Sequence, residues 1–151
     1  MDELSILCFS LGERWFGLDV HLVEEVVGEQ TLTPVPGTPR HVLGLFPLHG
    51  RAIPLFDPAC FLELPVGDTR GLAQAKRQDS VRVIVVSSGE MTVGILVDEV
   101  REIVEVPRDR LGKLRLSAEG KLVEFALAEV DLGQLVVTVL DLPRLLDAAR
   151  V

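Results

Sequence analysis

The sequence matches itself when shifted by 77 residues. Residues 10–27 and 87–104 share Ser10/Ser87, Gly12/Gly89, Glu13/Glu90, Gly17/Gly94, Val20/Val97, Val23/Val100, Glu25/Glu102 and Val27/Val104. That is eight identities in 18 positions, where ordinary residue usage gives about one or two by chance. Leu18/Ile95 and Val26/Ile103 are near-matches, and the echo continues loosely. Val35-Pro36 answers Val106-Pro107, Gly50 and Asp57 answer Gly133 and Asp141, and Phe61-Leu62 answers Leu145-Leu146. Such self-similarity marks one supersecondary unit used twice. Each half is expected to form a small barrel, and the two to pack as pseudo-symmetric lobes; the residues leave open whether the lobes exchange strands and which lobe takes the strand at 4–11. At about 75 residues a half is near the size where one core is marginal, so the lobes should depend on each other. The alternative is that Gly-Glu turns simply echo one another in a hairpin-rich chain.

The glycines give the unit its shape. Gly12 and Gly89 stand where tight hairpins need a positive φ. Gly17 and Gly94 lie inside apolar runs, where a missing side chain permits a bend or a close backbone approach. Aromatics are only 5% and tyrosine is absent, so Val, Leu and Ile must build the core. Valine's stiff χ1 favours strands.

Short apolar runs between turn signals predict strands at 4–11, 15–20, 41–48, 52–56, 81–86, 92–97, 103–106, 122–130 and 134–140. Residues 23–27 fit a strand or one helical turn. Thr33-Pro34-Val35-Pro36-Gly37-Thr38-Pro39 excludes a helix and reads as an extended edge or loop. Residues 61–64 suggest a turn of helix, and 66–80 an exposed connection. A short C-terminal helix is expected over 143–149, with Pro143 at its first position and Asp141 as a cap. The fold class is all-β, of the barrel or sandwich type.

A hydrophobic fraction of 48% over 151 residues supports one domain with a real core. The net charge of −8 disfavours nucleic acid and anionic membrane as partners. No stretch has the roughly 18 apolar residues of a membrane helix, and Met1-Asp2-Glu3 is acidic where a signal peptide is basic. Cys8 and Cys60 make neither a C-x-x-C pair nor a metal spacing, and they read as buried thiols of a cytoplasmic protein. His21, His41 and His49 have no ligand spacing and read as surface or turn residues. Glu24-Glu25 and Asp98-Glu99 are adjacent, so on strands they point to opposite faces and do not converge on one atom. Trp15 is either a buried anchor or an interface residue. Glu24, Glu25 and Glu29, with Asp19 nearby, form either a solvated face or a steering patch for a basic partner.

Several motifs in order resemble the CheW-like family. They run Phe9-Ser10-Leu11-Gly12, Phe16-Gly17-Leu18-Asp19-Val20, Val23-Glu24-Glu25-Val26, the Pro-rich stretch from Thr33, Val42-Leu43-Gly44-Leu45, Gly50-Arg51-Ala52-Ile53-Pro54-Leu55-Phe56-Asp57 and Val93-Gly94-Ile95-Leu96-Val97-Asp98-Glu99-Val100. They cover most of the chain except 66–80. The resemblance implies two five-stranded SH3-like barrels around a shared core. It also implies a non-enzymatic adaptor in bacterial chemotaxis, coupling the signalling tip of a chemoreceptor to a CheA-type histidine kinase. No cofactor, metal or catalytic residue is implied. Receptor contacts, carried over by position to a groove between the lobes, fall on Val23, Glu25, Val26, Gly44, His49 and Gly50.

One turn departs from the family, which usually carries Asn-Leu-Arg-Gly where this chain has Pro47-Leu48-His49-Gly50. Histidine replaces a permanent charge with a smaller, mostly neutral group, and Pro47 removes a backbone donor. The change suggests a divergent paralogue, one that binds receptors without recruiting kinase or that scaffolds a motility or pilus pathway. A small-molecule-binding barrel is the remote alternative.

Overall fold

The structure, a computed structural model, describes residues 3–64, 82–111 and 120–149. The chain forms β1 (Glu3–Leu11), β2 (Arg14–Asp19), β3 (Val23–Val27), β4 (Val42–Leu48), β5 (Arg51–Phe56), α1 (Pro58–Phe61), β6 (Arg82–Ser88), β7 (Met91–Val97), β8 (Glu99–Pro107), β9 (Ala126–Asp131), β10 (Val136–Leu140) and α2 (Leu142–Ala149). Short 3-10 turns occupy Val20–Leu22, Arg108–Arg110 and Gly120–Phe125.

The strands make two five-stranded sheets, ordered β8-β1-β2-β10-β9 and β3-β6-β7-β5-β4. In both, the neighbours are antiparallel except one parallel pair, β2 with β10 and β5 with β7. Matching the repeats turns one order into the other: β1 to β5 answer β6 to β10. The lobes are therefore pseudo-symmetric, but they are not the halves of the sequence. The first lobe takes β1 and β2 from the first half and β8 to β10 from the second; the second lobe runs unbroken from β3 to β7. The strand after each two-stranded hairpin has been exchanged: β3 pairs with β6, and β8 with β1. The expectation of one barrel per half is corrected accordingly.

The exchange follows from where apolar faces go. The first lobe encloses Leu4, Ile6, Cys8, Val106, Val130, Val137 and Val139. The second encloses Phe46, Ile53, Leu55, Val83, Val85 and Leu96. Between the lobes lies a third and larger core of 20 buried residues, among them Leu7, Phe9, Leu11, Phe16, Phe56, Ile84, Val86, Val93 and Leu145. Side chains alternate along a strand, so Ile6 and Cys8 face the barrel interior while Leu7 and Phe9 face the shared core. Burial on both faces is why these strands read as unbroken apolar runs. Each lobe's own interior is too small to stand alone, which ties the lobes together.

Gly12 and Gly89 have φ of 65° and 63°, as the hairpins demand. A Cβ on Gly94 would sit 2.7 Å from two atoms of the Phe46 ring, and one on Gly17 would sit 3.1 Å from Ile6 Cδ1. Both glycines let a core side chain rest directly on the strand. Asp57 and Asp141 fulfil matching roles after β5 and β10. Asp57 accepts from the Cys60 amide at 3.3 Å and Asp141 from the Arg144 amide at 3.2 Å, each capping a helix. Their own amides donate to His41 O and Phe125 O, both at 2.7 Å.

Some boundaries differ from expectation. Residues 23–27 are a strand. The apolar run 122–130 is strand only from Ala126, because the chain before it turns in 3-10 form to bring Phe125 O to Asp141. The helix expected over 61–64 lies earlier, at α1, where Asp57 and Pro58 start it. Pro143 is the second residue of α2. The connection expected over 66–80 falls outside the described residues.

Candidate functional site

The free edges of the second sheet are β3 and β4, and all six candidate residues lie on them or on the turn that follows β4. On β3 the sequence is Val23-Glu24-Glu25-Val26-Val27. Val23 and Val27 are four apart and would share a face of a regular strand. A bulge intervenes, since Val23 pairs with Val86 while Glu25 pairs with Val85. The extra residue reverses the alternation. Val23 thus packs on the shared core and Val27 on the second lobe's interior. Val26 is left facing outward, 40% exposed. β8 does the same: Val100 packs on the shared core, Val104 on the first lobe's interior, and Ile103 is exposed.

The β4–β5 hairpin closes with two residues, His49 and Gly50, at φ of 49° and 78°. Positive φ at both central positions is the type I′ turn that fits the twist of paired strands. Glycine adopts it without strain; His49 is held there by the turn. Its ring reaches across the seam, with Nε2 2.7 Å from Glu25 Oε2. Pro47 sits on edge strand β4, where a missing N–H is tolerated.

Below that contact the Pro-rich stretch begins by lying against β4. Thr33 N–H donates to Leu45 O at 2.8 Å and Leu45 N–H to Thr33 O at 2.9 Å. Gly44 makes this approach possible. Its φ is +147°, and a Cβ there would stand 2.8 Å from Thr33 O. Gly44 is buried under the chain's own backbone, which accounts for this glycine without a partner. The structure brings Glu25, Val26, His49 and Gly50 to one exposed edge of the second lobe, turns Val23 toward the shared core and covers Gly44. Sequence reasoning did not reach Leu32 and Thr33 as supports of this edge; the only signal was a Thr-Pro step opposite a glycine-bearing strand.

The remaining candidates have local roles. His21 Nδ1 lies 2.9 Å from Asp19 Oδ1, which also accepts from the His21 amide. Burial pulls the Asp19 carboxyl upward, but these two bonds hold it below its ordinary value. His41 is half-buried, not a surface residue: Nε2 donates to Ala149 O at 2.8 Å, and the ring meets Phe61 edge-on at 4.9 Å. Cys8 is buried, and burial, with a smaller push from Glu102, raises its thiol pKa. Cys60, expected buried, is partly exposed. Trp15 is half-buried with Arg101 4.8 Å over its ring. Among the described residues no three His, Cys, Asp or Glu side chains group as a metal site, and no helix is long and apolar enough to cross a membrane.

The sequence profile of the CheW-like domain matches residues 5–150. The chain belongs to the CheW-like family. It is similar to the chemotaxis protein CheW of Thermotoga maritima, with 26% identity over 151 residues, covering 100% of this chain and 93% of the relative. Protein PilI of Pseudomonas aeruginosa is 29% identical over 117 residues, 78% of this chain and 61% of that protein. The crystal structure of the scaffolding protein TtCheW from Thermoanaerobacter tengcongensis superposes with a TM-score of 0.77 at 25% identity, covering 95% of this chain and 92% of that one. The CheW-like chain is thus an adaptor of chemosensory signalling built on two barrel-like lobes. In each lobe the described residues leave the sheet open at one seam, β8/β9 in the first and β3/β4 in the second.

Proposed function

We propose that this CheW-like chain acts in the cytoplasm without catalysis, holding the signalling tip of a chemoreceptor against the second lobe's β3/β4 edge while presenting other surfaces to a CheA-type kinase. The observation that carries this is that edge strand β3 presents an outward apolar side chain, Val26, next in the chain to Glu25, which pairs with His49. An apolar anchor that loses water, beside a charge that sets orientation, is what a helical tip needs. The supporting residues are Val23, which sets β3 on the shared core, Gly44, which admits Thr33, and Gly50, which closes the turn. Val26→Glu should weaken binding of a purified receptor-tip fragment about tenfold or more, a desolvated anchor contributing upward of about 1.4 kcal/mol. Ile103→Glu, its counterpart on the first lobe, should leave tip binding unchanged. Equal loss from both substitutions, or no tip binding by the wild type, overturns the reading.

A second reading keeps the fold and changes the pathway, to a motility or pilus scaffold that does not recruit a chemotaxis kinase. The similarity to PilI and the His49 turn favour it. Pull-down against a CheA-type kinase separates the two: retention supports the coupling role, and receptor binding without kinase supports the divergent one.

A further inference from the structure

We propose that the open β8/β9 seam of the first lobe is a second docking site, one that takes an extended segment of a partner protein, with alternating apolar and basic side chains, as an added strand. It is separate from the receptor edge and does not rest on that reading.

Both flanks of the seam are strand edges. β8 is paired on one side only, with β1, through to Glu3 opposite Pro107. β9 is paired on one side only, with β10. Among the described residues no backbone hydrogen bond joins β8 to β9. Between them lies a cavity of about 530 Å³, lined among those residues by 104–107 and 130–133. The repeat shows why this seam is open. Val27 and Val104 are counterparts. β3 pairs with β6 as far as Val27, and the chain then crosses to β4 at Thr33. β8 instead stays on β1 as far as Pro107. The stretch that leaves to cover the β4 edge in one lobe remains in the sheet in the other, and β9 is left without it. An open strand edge is a template for another strand. Main-chain hydrogen bonds then give affinity, and alternate side chains give specificity.

The lining says what the added strand must carry. Val104, Val106 and Val130 turn inward onto the first lobe's own core, so the inward side chains of a guest strand meet apolar surface. Glu105 on β8 and Asp131 on β9 fall between them in the alternation and are exposed, one on each flank of the seam. Asp131 is oriented by the Gly133 amide at 2.8 Å and keeps its charge. Among the described residues neither carboxylate has an ion-pair partner. The arginines of this edge are engaged elsewhere: Arg101 lies over the Trp15 ring, and Arg108 attracts the Asp19 carboxylate. Opposite charges across neighbouring strands stabilise a sheet and like charges weaken it. A guest with small apolar side chains inward and lysine or arginine outward therefore fits both faces, and an acidic one does not.

The test uses the full chain and an end-blocked peptide of alternating valine and lysine, about eight residues long, the length of an ordinary strand. Trp15, the sole tryptophan, packs on the same small core as Val104 and Leu132, so its emission follows the titration. Binding should saturate, with amide protection rising about threefold or more across 104–107 and 129–131 and unchanged across β3 and β4. N-methylation of alternate peptide residues should weaken binding about tenfold or more, because it removes ladder hydrogen bonds. A peptide with glutamate in place of lysine should bind at least about tenfold more weakly. Glu105→Lys should cost the lysine peptide about two- to fivefold and return a similar factor to the glutamate peptide. Val26→Glu, which spoils the receptor edge, should leave peptide binding unchanged. No saturable binding, loss of it in Val26→Glu, indifference to N-methylation, or equal binding of the glutamate peptide overturns the proposal. The chain carries a similar alternation itself in Lys113-Leu114-Arg115-Leu116. Peptide binding gained only in the Lys113→Glu/Arg115→Glu double variant shows an occupant from the same chain and overturns the assignment to a partner.

Discussion

In the second lobe the connection from β3 is tied to β4 by the Thr33–Leu45 hydrogen bonds, and His49, on the turn after β4, reaches Glu25 on β3, whereas in the first lobe β8 and β9 flank a cavity of about 530 Å³ lined by residues 104–107 and 130–133. The strand plan is the same and the turns are not. The second lobe turns in two residues, with both φ values positive. The first turns more broadly: the Asp131 carboxylate accepts from the Gly133 amide at 2.8 Å, and Leu132 N–H donates to Leu135 O at 2.8 Å. That broader turn satisfies itself. Among the described residues no hydrogen bond joins it to β8. A duplicated unit can thus keep its architecture while one turn decides which seam carries a side-chain closure.

The largest expected effect tests what the lobes hold in common. Phe56 is fully buried in the shared core, and Phe56→Ala should cost about 3–5 kcal/mol. Chemical denaturation should show one transition, with amides of β1 and β6 losing protection together. Two separate transitions would mean that the lobes are independent and that the contrast at the seams is all there is.

Next come the paired glycines. At Gly94 an added methyl meets the Phe46 ring at 2.7 Å and Val83 Cγ1 at 2.9 Å; at Gly17 the nearest atoms are Ile6 Cδ1 at 3.1 Å and Val137 Cγ1 at 3.2 Å. Gly94→Ala should cost about 2–3 kcal/mol and Gly17→Ala about 1 kcal/mol by denaturant titration. Equal costs would show that the two lobes relax alike. Gly44→Ala should cost about 1–3 kcal/mol, because alanine at φ +147° is strained and meets Thr33 O. Hydrogen exchange should rise at Thr33 and Leu45 while β9 stays as it was; loosening in both lobes would tie the seams together.

The smallest effect is an acid limb confined to one copy. Asp19 is answered in the repeat by buried Leu96, so only the first copy has a carboxyl here. Its pKa is lowered from 3.8. A lowered acid adds stability that is complete above the unfolded value and is lost as pH falls through the folded one. The group is partly exposed and screened, so Asp19→Asn should flatten the profile below about pH 4 by only a few tenths of a kcal/mol.

Much of this was legible in the residues. The identities from Gly12 to Val27 placed the hairpins, the packed glycines and the pairing of β3 with β8 as equivalents, because spacing and backbone demands are written locally. The exchange was not legible, and for a physical reason: two strands with the same apolar pattern fit either lobe, so only the three-dimensional packing distinguishes them. The boundary at Ala126 was missed because a 3-10 turn that buries Leu122 and Phe125 shows the same apolar density as a strand. At the site, the His49–Gly50 turn could be read from its glycine, whereas Val26 was reached only through the family resemblance. The meeting of Glu25 with His49, 24 residues apart, could not, since nothing local records which edges curl toward each other. Gly44 was legible as a special position, but its covering by Thr33 was not.

The crossing of β3 and β8 between lobes also bears on ancestry. A chain half this long would hold a hairpin whose third strand belongs elsewhere, and two such chains could satisfy each other only by trading that strand, as an intertwined symmetric homodimer. Joining the two genes end to end would make the trade intramolecular and free each copy to drift, one toward a ring at its turn and the other toward a hollow.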